Sequence, residues 1–151
     1  MKPATGILAS PCPRILVVDD VESLRWLLVK VLRRVGYIVD MAGDGCGALR
    51  KIRESRWDAV ILDMELPDMT GLELYEQIRR EDADAALPVV FITGRPEYYR
   101  ARCLSLVPEA LMLAKPFDAE QLVSQLEHCL GARPLKADLP AVNSGLGWPR
   151  S

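Results

Sequence analysis

Four apolar runs in this chain end in side chains able to do chemistry. Ile15–Val18 leads into Asp19 and Asp20. Val60–Leu62 leads into Asp63. Val89–Ile92 leads into Thr93, with Gly94 behind it, and Leu111–Ala114 leads into Lys115, with Pro116 behind it. Two carboxylates ~5 Å apart repel by roughly 3 kcal/mol at an effective dielectric of 20. Three in one place would cost on the order of 10 kcal/mol, which rivals a domain's whole stability of ~5–15 kcal/mol. One lysine cannot offset all of it, so either the acids splay into water or a cation sits among them. An oxygen cluster with no His or Cys nearby suits Mg2+. A carboxylate placed beside a metal, a lysine and a hydroxyl can accept a phosphoryl group as a nucleophile. Phosphoryl transfer demands positioning and charge neutralisation more than covalent help. Asp63, central in chain order, is the candidate nucleophile. Thr93 can donate to a phosphoryl oxygen, and Gly94 leaves room beside it.

These side chains meet only if the runs that carry them are strands of one sheet ending at the same edge. The short, fully apolar runs read as buried strands: 14–18, 58–64, 88–93 and 110–114, with 37–41 as a further strand. Between them lie helical patterns. Leu24, Leu27, Leu28, Val31, Leu32 and Val35 recur at helical spacing, with Lys and Arg on the other side and Gly36 as the stop. A short helix over 45–54 turns Ala48, Leu49 and Ile52 inward. Thr70-Gly-Leu-Glu73 has the form of a capping box and opens a helix through Arg80. Pro96 suits the first turn of a helix to about Leu106, and Asp118 with Gln121 caps a last one to Leu130, stopped by Gly131. Strict β-α alternation, five times over, predicts an α/β fold: a parallel sheet with helices on both faces. Ligands of such sheets bind outside the carboxyl ends of the strands, where these polar groups lie.

Composition narrows the function classes. The 151 residues are 50% hydrophobic and 26% charged, with a formal net charge of -2. That fits one globular domain and lacks the basic stripe of a nucleic-acid binder. No apolar run approaches the ~20 residues of a membrane-spanning helix. The first 13 residues are broken by Pro3, Gly6 and Pro11, which argues against a secretory signal and for a flexible leader in a cytoplasmic protein. The four cysteines show no paired spacing and read as free thiols. His128 is the sole histidine, so a histidine metal site is not expected. Gly43–Gly47 lacks the spacing of a dinucleotide loop and reads as a turn. Residues 132–151, rich in Pro and Gly, read as a tail.

Asp19-Asp20, Asp63, Thr93 and Lys115-Pro116, each closing its own strand, together resemble the receiver domain of two-component response regulators. Pro67 and Gly71, in the loop after Asp63, agree with it. The resemblance covers about 14–130, within a domain read as 14–131. It implies a flavodoxin-like (βα)5 sheet of strand order 2-1-3-4-5. It implies Mg2+ held by Asp20, Asp63 and the backbone carbonyl of Glu65, with Asp19 assisting through water. It implies phosphoryl transfer to Asp63 from a histidine kinase or phosphotransfer protein, with Lys115 pairing with the phosphoryl group and Thr93 moving toward it. Output then passes to a protein target through the face of the fourth helix, fifth strand and fifth helix. With a leader at 1–13 and a tail at 132–151, a stand-alone receiver is expected, monomeric or weakly dimeric, with no attached output domain and no direct contact to nucleic acid or membrane.

One position departs from the family pattern. Receiver domains usually carry an aromatic three residues before the lysine, and here that residue is Met112, which has neither ring nor hydroxyl. Its alternatives are simple core filling or an altered output face. Glu65 and Arg95, each two residues past a site residue, are expected at the rim, where an ion pair would limit the approach of hydrolytic water. Of Tyr98 and Tyr99 one is expected packed and the other exposed, and Trp26 falls outside the apolar stripe of its helix. Two rival readings remain open at this point. One is a pseudo-receiver that binds partners without phosphorylation. The other is an aspartate-nucleophile phosphatase of the haloacid dehalogenase type, which Asp63-Met-Glu65 mimics faintly.

Overall fold

The structure is a computed structural model that describes residues 12–81, 87–107 and 111–131. The expected tail, and all of the leader but Cys12 and Pro13, lie outside the described residues. Among the described residues five strands alternate with five helices: β1 (Arg14–Val18), α1 (Glu22–Val35), β2 (Ile38–Ala42), α2 (Gly45–Glu54), β3 (Ala59–Asp63), α3 (Gly71–Glu81), β4 (Val89–Thr93), α4 (Pro96–Leu106), β5 (Leu111–Ala114) and α5 (Ala119–Leu130). All paired strands are parallel, in the order β2-β1-β3-β4-β5. The sequence places β2 one residue early, at 37–41. Tyr37 instead ends the turn after Gly36, its N–H donating to Leu32 O, and its ring is buried beside the C-terminal half of α1.

Alternation along the strands splits the core in two. Ile15, Val17, Ile61, Val90, Ile92 and Leu113 pack under α1 and α5. Leu16, Val18, Val60, Leu62, Met64 and Phe91 pack under α2, α3 and α4. Every residue of β3 and β4 is buried, as strands covered on both faces require, and this is why their runs are continuously apolar. On α1 the stripe is turned slightly from the expected one. Val29 is fully buried and Leu27 only partly, so the face that packs includes the Arg25–Val29 side.

Local signals fix the helix ends. Thr70 and Glu73 form the reciprocal cap of α3: Thr70 N–H donates to Glu73 Oε1 at 2.9 Å and Glu73 N–H to Thr70 Oγ1 at 3.1 Å. Asp118 and Gln121 do the same for α5. Helix α2 has a cap from its own Asp44 and a second from far along the chain. Asp68, in the loop after β3, accepts from the Gly45 and Cys46 N–H groups at 2.8 and 3.0 Å. These backbone hydrogen bonds hold the Asp68 carboxyl below the usual carboxylate range, and they tie the β3–α3 loop to α2.

Gly71 is the residue on which α3 rests against β3. Its N–H donates to Met64 O at 2.8 Å, and a Cβ there would stand 2.7 Å from Asp63 O and 3.0 Å from Met64 Cα. Both neighbours are backbone, so they cannot swing aside. Gly71→Ala is therefore expected to destabilise the fold by about 1–3 kcal/mol and to shift the Asp63 backbone. A lowered urea midpoint with displaced Asp63–Met64 amide resonances is the expected result, and an unchanged midpoint would refute the tight fit.

Candidate functional site

Register brings the acids together. Val18 pairs with Leu62 in the β1–β3 ladder, so one step further along the parallel strands Asp19 lies beside Asp63. Asp19 continues the row Ile15–Val17, Asp63 the row of Ile61 and Lys115 the row of Leu113, all on the α1/α5 side. Thr93 continues the Phe91 row toward the other side. The convergence expected of Asp19, Asp20, Asp63, Thr93 and Lys115 thus occurs at one edge of the sheet.

Asp19 is fully buried and Asp63 is 4% exposed. Asp19 Oδ1 accepts from Val21 N–H at 2.8 Å, and its carbonyl accepts from Arg25 Nη1 at 2.6 Å. Asp63 Oδ1 accepts from Glu65 N–H at 3.2 Å. Lys115 Nζ sits between the two acids, 3.2 Å from Asp19 Oδ2 and 3.3 Å from Asp63 Oδ2. The contact to Asp63 has hydrogen-bond geometry. That to Asp19 is an ion pair only, and among the described residues the buried Asp19 Oδ2 has no hydrogen-bond partner. Lys115 is itself placed by its N–H, which donates to Thr93 O at 2.7 Å; its bond to Pro116 is cis. Thr93 is 1% exposed, and its Oγ1 accepts from Arg95 N–H at 2.9 Å.

One ammonium facing these acids leaves an excess of negative charge. Burial first, and then the neighbouring Asp19 charge, push the Asp63 carboxyl up to about 7, against the pull of Lys115. Burial likewise raises Asp19. Asp19, Asp20 and Asp63 each offer a carboxylate oxygen, all within 4.8 Å of one another. Two oxygens at ~2.1 Å from one Mg2+ are at most ~4.2 Å apart, so Asp20 and Asp63 lie close enough to share an ion, with Asp19 in reach of it through a water. The exclusively oxygen donor set and the orphaned Asp19 oxygen fit such an ion.

The rim is built from residues on separate elements. Arg95, the N-cap of α4, reaches Glu65 across the mouth, Nη1 to Oε2 at 2.8 Å. The same Glu65 oxygen accepts from Tyr99 Oη at 3.1 Å. Tyr99 is buried and Tyr98 is 55% exposed. Met112 lies opposite Phe91 in the β4–β5 ladder, half-buried against the cluster under α2–α4. Sequence reasoning missed two contacts. Tyr99 was expected only as a packed or exposed ring, and nothing in its spacing points at Glu65. Arg25 was assigned to the solvent side of α1. The turned stripe, with Val29 inside, is what brings Arg25 back over Gly43 and the Asp19 carbonyl.

The raised Asp63 pKa fixes a pH dependence for the metal-free protein. A carboxyl whose folded pKa lies above its unfolded value disfavours folding as pH rises. The loss begins near pH 4 and is complete above about pH 7. Asp63→Asn is therefore expected to stabilise the metal-free protein at pH 8 by roughly 2–4 kcal/mol and to change little at pH 3.5. Urea unfolding in a chelator at the two pH values checks this, and equal gains at both would contradict it. Adding Mg2+ is expected to raise the wild-type midpoint at pH 8 and to leave that of Asp63→Asn nearly unmoved.

The comparisons with known proteins agree with this geometry. The family model described as "Response regulator receiver domain" matches residues 15–127. The DNA-binding response regulator MtrA of Mycobacterium tuberculosis is 39% identical over 114 residues, covering 75% of this chain and 48% of that protein. Response regulator MprA of Mycobacterium ulcerans is 37% identical over 126 residues, 83% of this chain and 53% of that protein. The chain thus spans about half the length of the curated relatives it matches. Among solved structures, response regulator TrrA of Thermotoga maritima, in complex with Mg2+-BeF, superposes with a TM-score of 0.69 at 34% identity, covering 78% of this chain and 99% of that one. Chemotaxis protein CheY4 of Vibrio cholerae gives 0.73 at 31%, covering 79% and 99%. The receiver domain of a Pseudomonas aeruginosa sensor histidine kinase, with a magnesium ion coordinated in its active-site cleft, gives 0.72 at 29%, covering 80% and 99%. With its parallel 2-1-3-4-5 sheet and the acids and lysine gathered at one edge of it, this chain belongs to the response regulator receiver domain family.

Proposed function

We propose that the chain is a phosphorylation-dependent signalling switch whose phosphoacceptor is Asp63. The observation that carries the reading is the convergence of Asp19, Asp20 and Asp63 around one lysine. The donor is a histidine kinase or a phosphotransfer protein. One Asp63 carboxylate oxygen attacks the phosphorus of a phosphohistidine in line. The new P–O bond forms as the P–N bond breaks, and its electron pair stays on the imidazole nitrogen, which takes up a proton. Lys115 pairs with the incoming phosphoryl oxygens. The Thr93 hydroxyl turns from Arg95 N–H to donate to one of them. Asp20, Asp63 and the Glu65 carbonyl would hold Mg2+, with Asp19 assisting through water. When bound, the ion supplies the positive charge that the three carboxylates and the phosphoryl group need. Hydrolysis returns Asp63 to its carboxylate.

Support for the ligand comes from the relatives solved with Mg2+-BeF and with magnesium. The Glu65 carboxylate is engaged by Arg95 and Tyr99, which speaks against its use as the second acid of a phosphatase. The DNA binding in the name of MtrA belongs to proteins twice as long as the matched region. For the residues described here the proposed output is a protein partner at the α4–β5–α5 face. Among the described residues no helix is long and apolar enough to cross a membrane.

Phosphotransfer from a panel of histidine kinases tests the reading. The wild type is expected to gain an alkali-labile phosphoryl group in the presence of Mg2+, and Asp63→Asn to gain none. Labelling of the Asn variant, or no labelling of the wild type by kinases or acetyl phosphate, would count against it. Glu65→Ala and Arg95→Ala are each expected to shorten the phosphoprotein's lifetime severalfold at most. An exposed pair worth ~0–1 kcal/mol sets that ceiling.

A further inference from the structure

Helix α4 is fastened to the body by few side chains. Of its eleven residues Tyr99 and Cys103 are buried, whereas Tyr98, Leu104 and Leu106 are about half exposed. In the first half of the helix, then, Tyr99 is the one buried anchor. Its hydroxyl and the Arg95 guanidinium meet on the same Glu65 oxygen. The guanidinium also stacks on the Tyr98 ring, 4.3 Å from its centroid, and the Tyr98 and Tyr99 rings touch edge-on at 4.7 Å.

Two separate routes lead from the phosphoacceptor into this cluster. Through β3, Asp63 Oδ1 holds the Glu65 N–H. Through β4, Thr93 Oγ1 holds the Arg95 N–H, and the Arg95 carbonyl accepts from the Tyr98 and Tyr99 N–H groups as the first turn of α4. A phosphoryl group on Asp63 disturbs both routes at once, because it crowds the Glu65 amide and draws the Thr93 hydroxyl away from Arg95. Position 112 offers no aromatic to register this. Met112 packs into the cluster that contains Phe91, Tyr75 and Tyr99; the Tyr75 hydroxyl accepts from Arg79 on its own helix, and the one that reaches the site's rim is Tyr99.

We propose that Tyr99 is the conformational reporter of this receiver: its hydroxyl latches the first turn of α4 to Glu65 in the unphosphorylated protein, and a phosphoryl group on Asp63 releases the latch. The proposal rests on Asp63 being the phosphoacceptor. It makes Tyr99 a positioning residue that touches neither phosphoryl group nor metal.

The test is amide hydrogen exchange over 97–100 in the full chain, with and without beryllofluoride and Mg2+, with bound fluoride followed separately by 19F NMR. In the wild type, beryllofluoride is expected to speed exchange in this turn. Tyr99→Phe keeps the ring and removes the hydroxyl. Without beryllofluoride it is expected to exchange about tenfold faster than wild type there, the effect of losing one charged hydrogen bond. It is then expected to respond little further, although beryllofluoride still binds. Because both substitutions remove the same bond, Glu65→Ala with Tyr99→Phe is expected to exchange no faster than Glu65→Ala alone. A full beryllofluoride response in Tyr99→Phe, additive effects in the double variant, or bound beryllofluoride with no change at α4 in the wild type would each overturn the latch while leaving the phosphoacceptor intact. No beryllofluoride binding by the wild type would overturn both.

Discussion

Two buried carboxylates held side by side are the constraint from which the rest of this structure follows. Asp19 and Asp63 are neighbours because β1 and β3 are neighbours in register, and that register is set by apolar residues on both faces of the sheet. A slip of one residue would exchange the two cores. The hydrophobic packing therefore dictates a charge problem it cannot solve. Lys115, at 3.2 and 3.3 Å, lessens it, yet Asp63 is still pushed to about 7. Such a site favours whatever brings positive charge, and it keeps the Asp63 carboxylate under electrostatic load in its absence. Folding energy from the core thus holds the carboxylates in an arrangement that a cation would relieve.

The same constraint explains why the fold was so legible. Strands buried on both faces must be apolar throughout, so each polar residue that ends one stands out, and the reciprocal caps of α3 and α5 have a short-range spelling. Boundaries came within a residue or two for the same reason. The one early strand start, at Tyr37, is a case where a β-prone aromatic was claimed by the core under α1 before the ladder began. The rotation of α1 was not legible. Leu27 and Val29 are equally apolar, and only the packing of the helix against the sheet decides between them. That choice in turn places Arg25 on the Asp19 carbonyl.

The site itself divides along a similar line. Residues that end strands could be assigned from their positions, since strand order and direction carry them to one edge. The Glu65–Arg95 pair was within reach of the same reasoning, because each lies a fixed two residues beyond a strand end. Tyr99 and Asp68 were not. Each acts across two loops whose relative course depends on the whole fold: Asp68 by capping a helix 23 residues earlier, Tyr99 by meeting a carboxylate 34 residues earlier. A polar side chain whose partner lies on another loop leaves no periodic trace.

Energy scale decides which parts of such a molecule can switch. A coupling of ~1–3 kcal/mol suffices to shift an equilibrium between two states. Rearranging the fully buried residues of β3 or β4 would cost several times that, since a single large-to-small change in a core costs ~2–5 kcal/mol. The rim bonds are each worth about as much as such a coupling. They join the loop after Asp63 to the helix with the fewest buried anchors, which is where low-energy opening is expected. The core thus sets where Asp63 points, and under the proposed switch the weak contacts among Glu65, Arg95 and Tyr99 set what its phosphorylation can move. On that proposal, stiffening those contacts would improve stability and blunt the signal together.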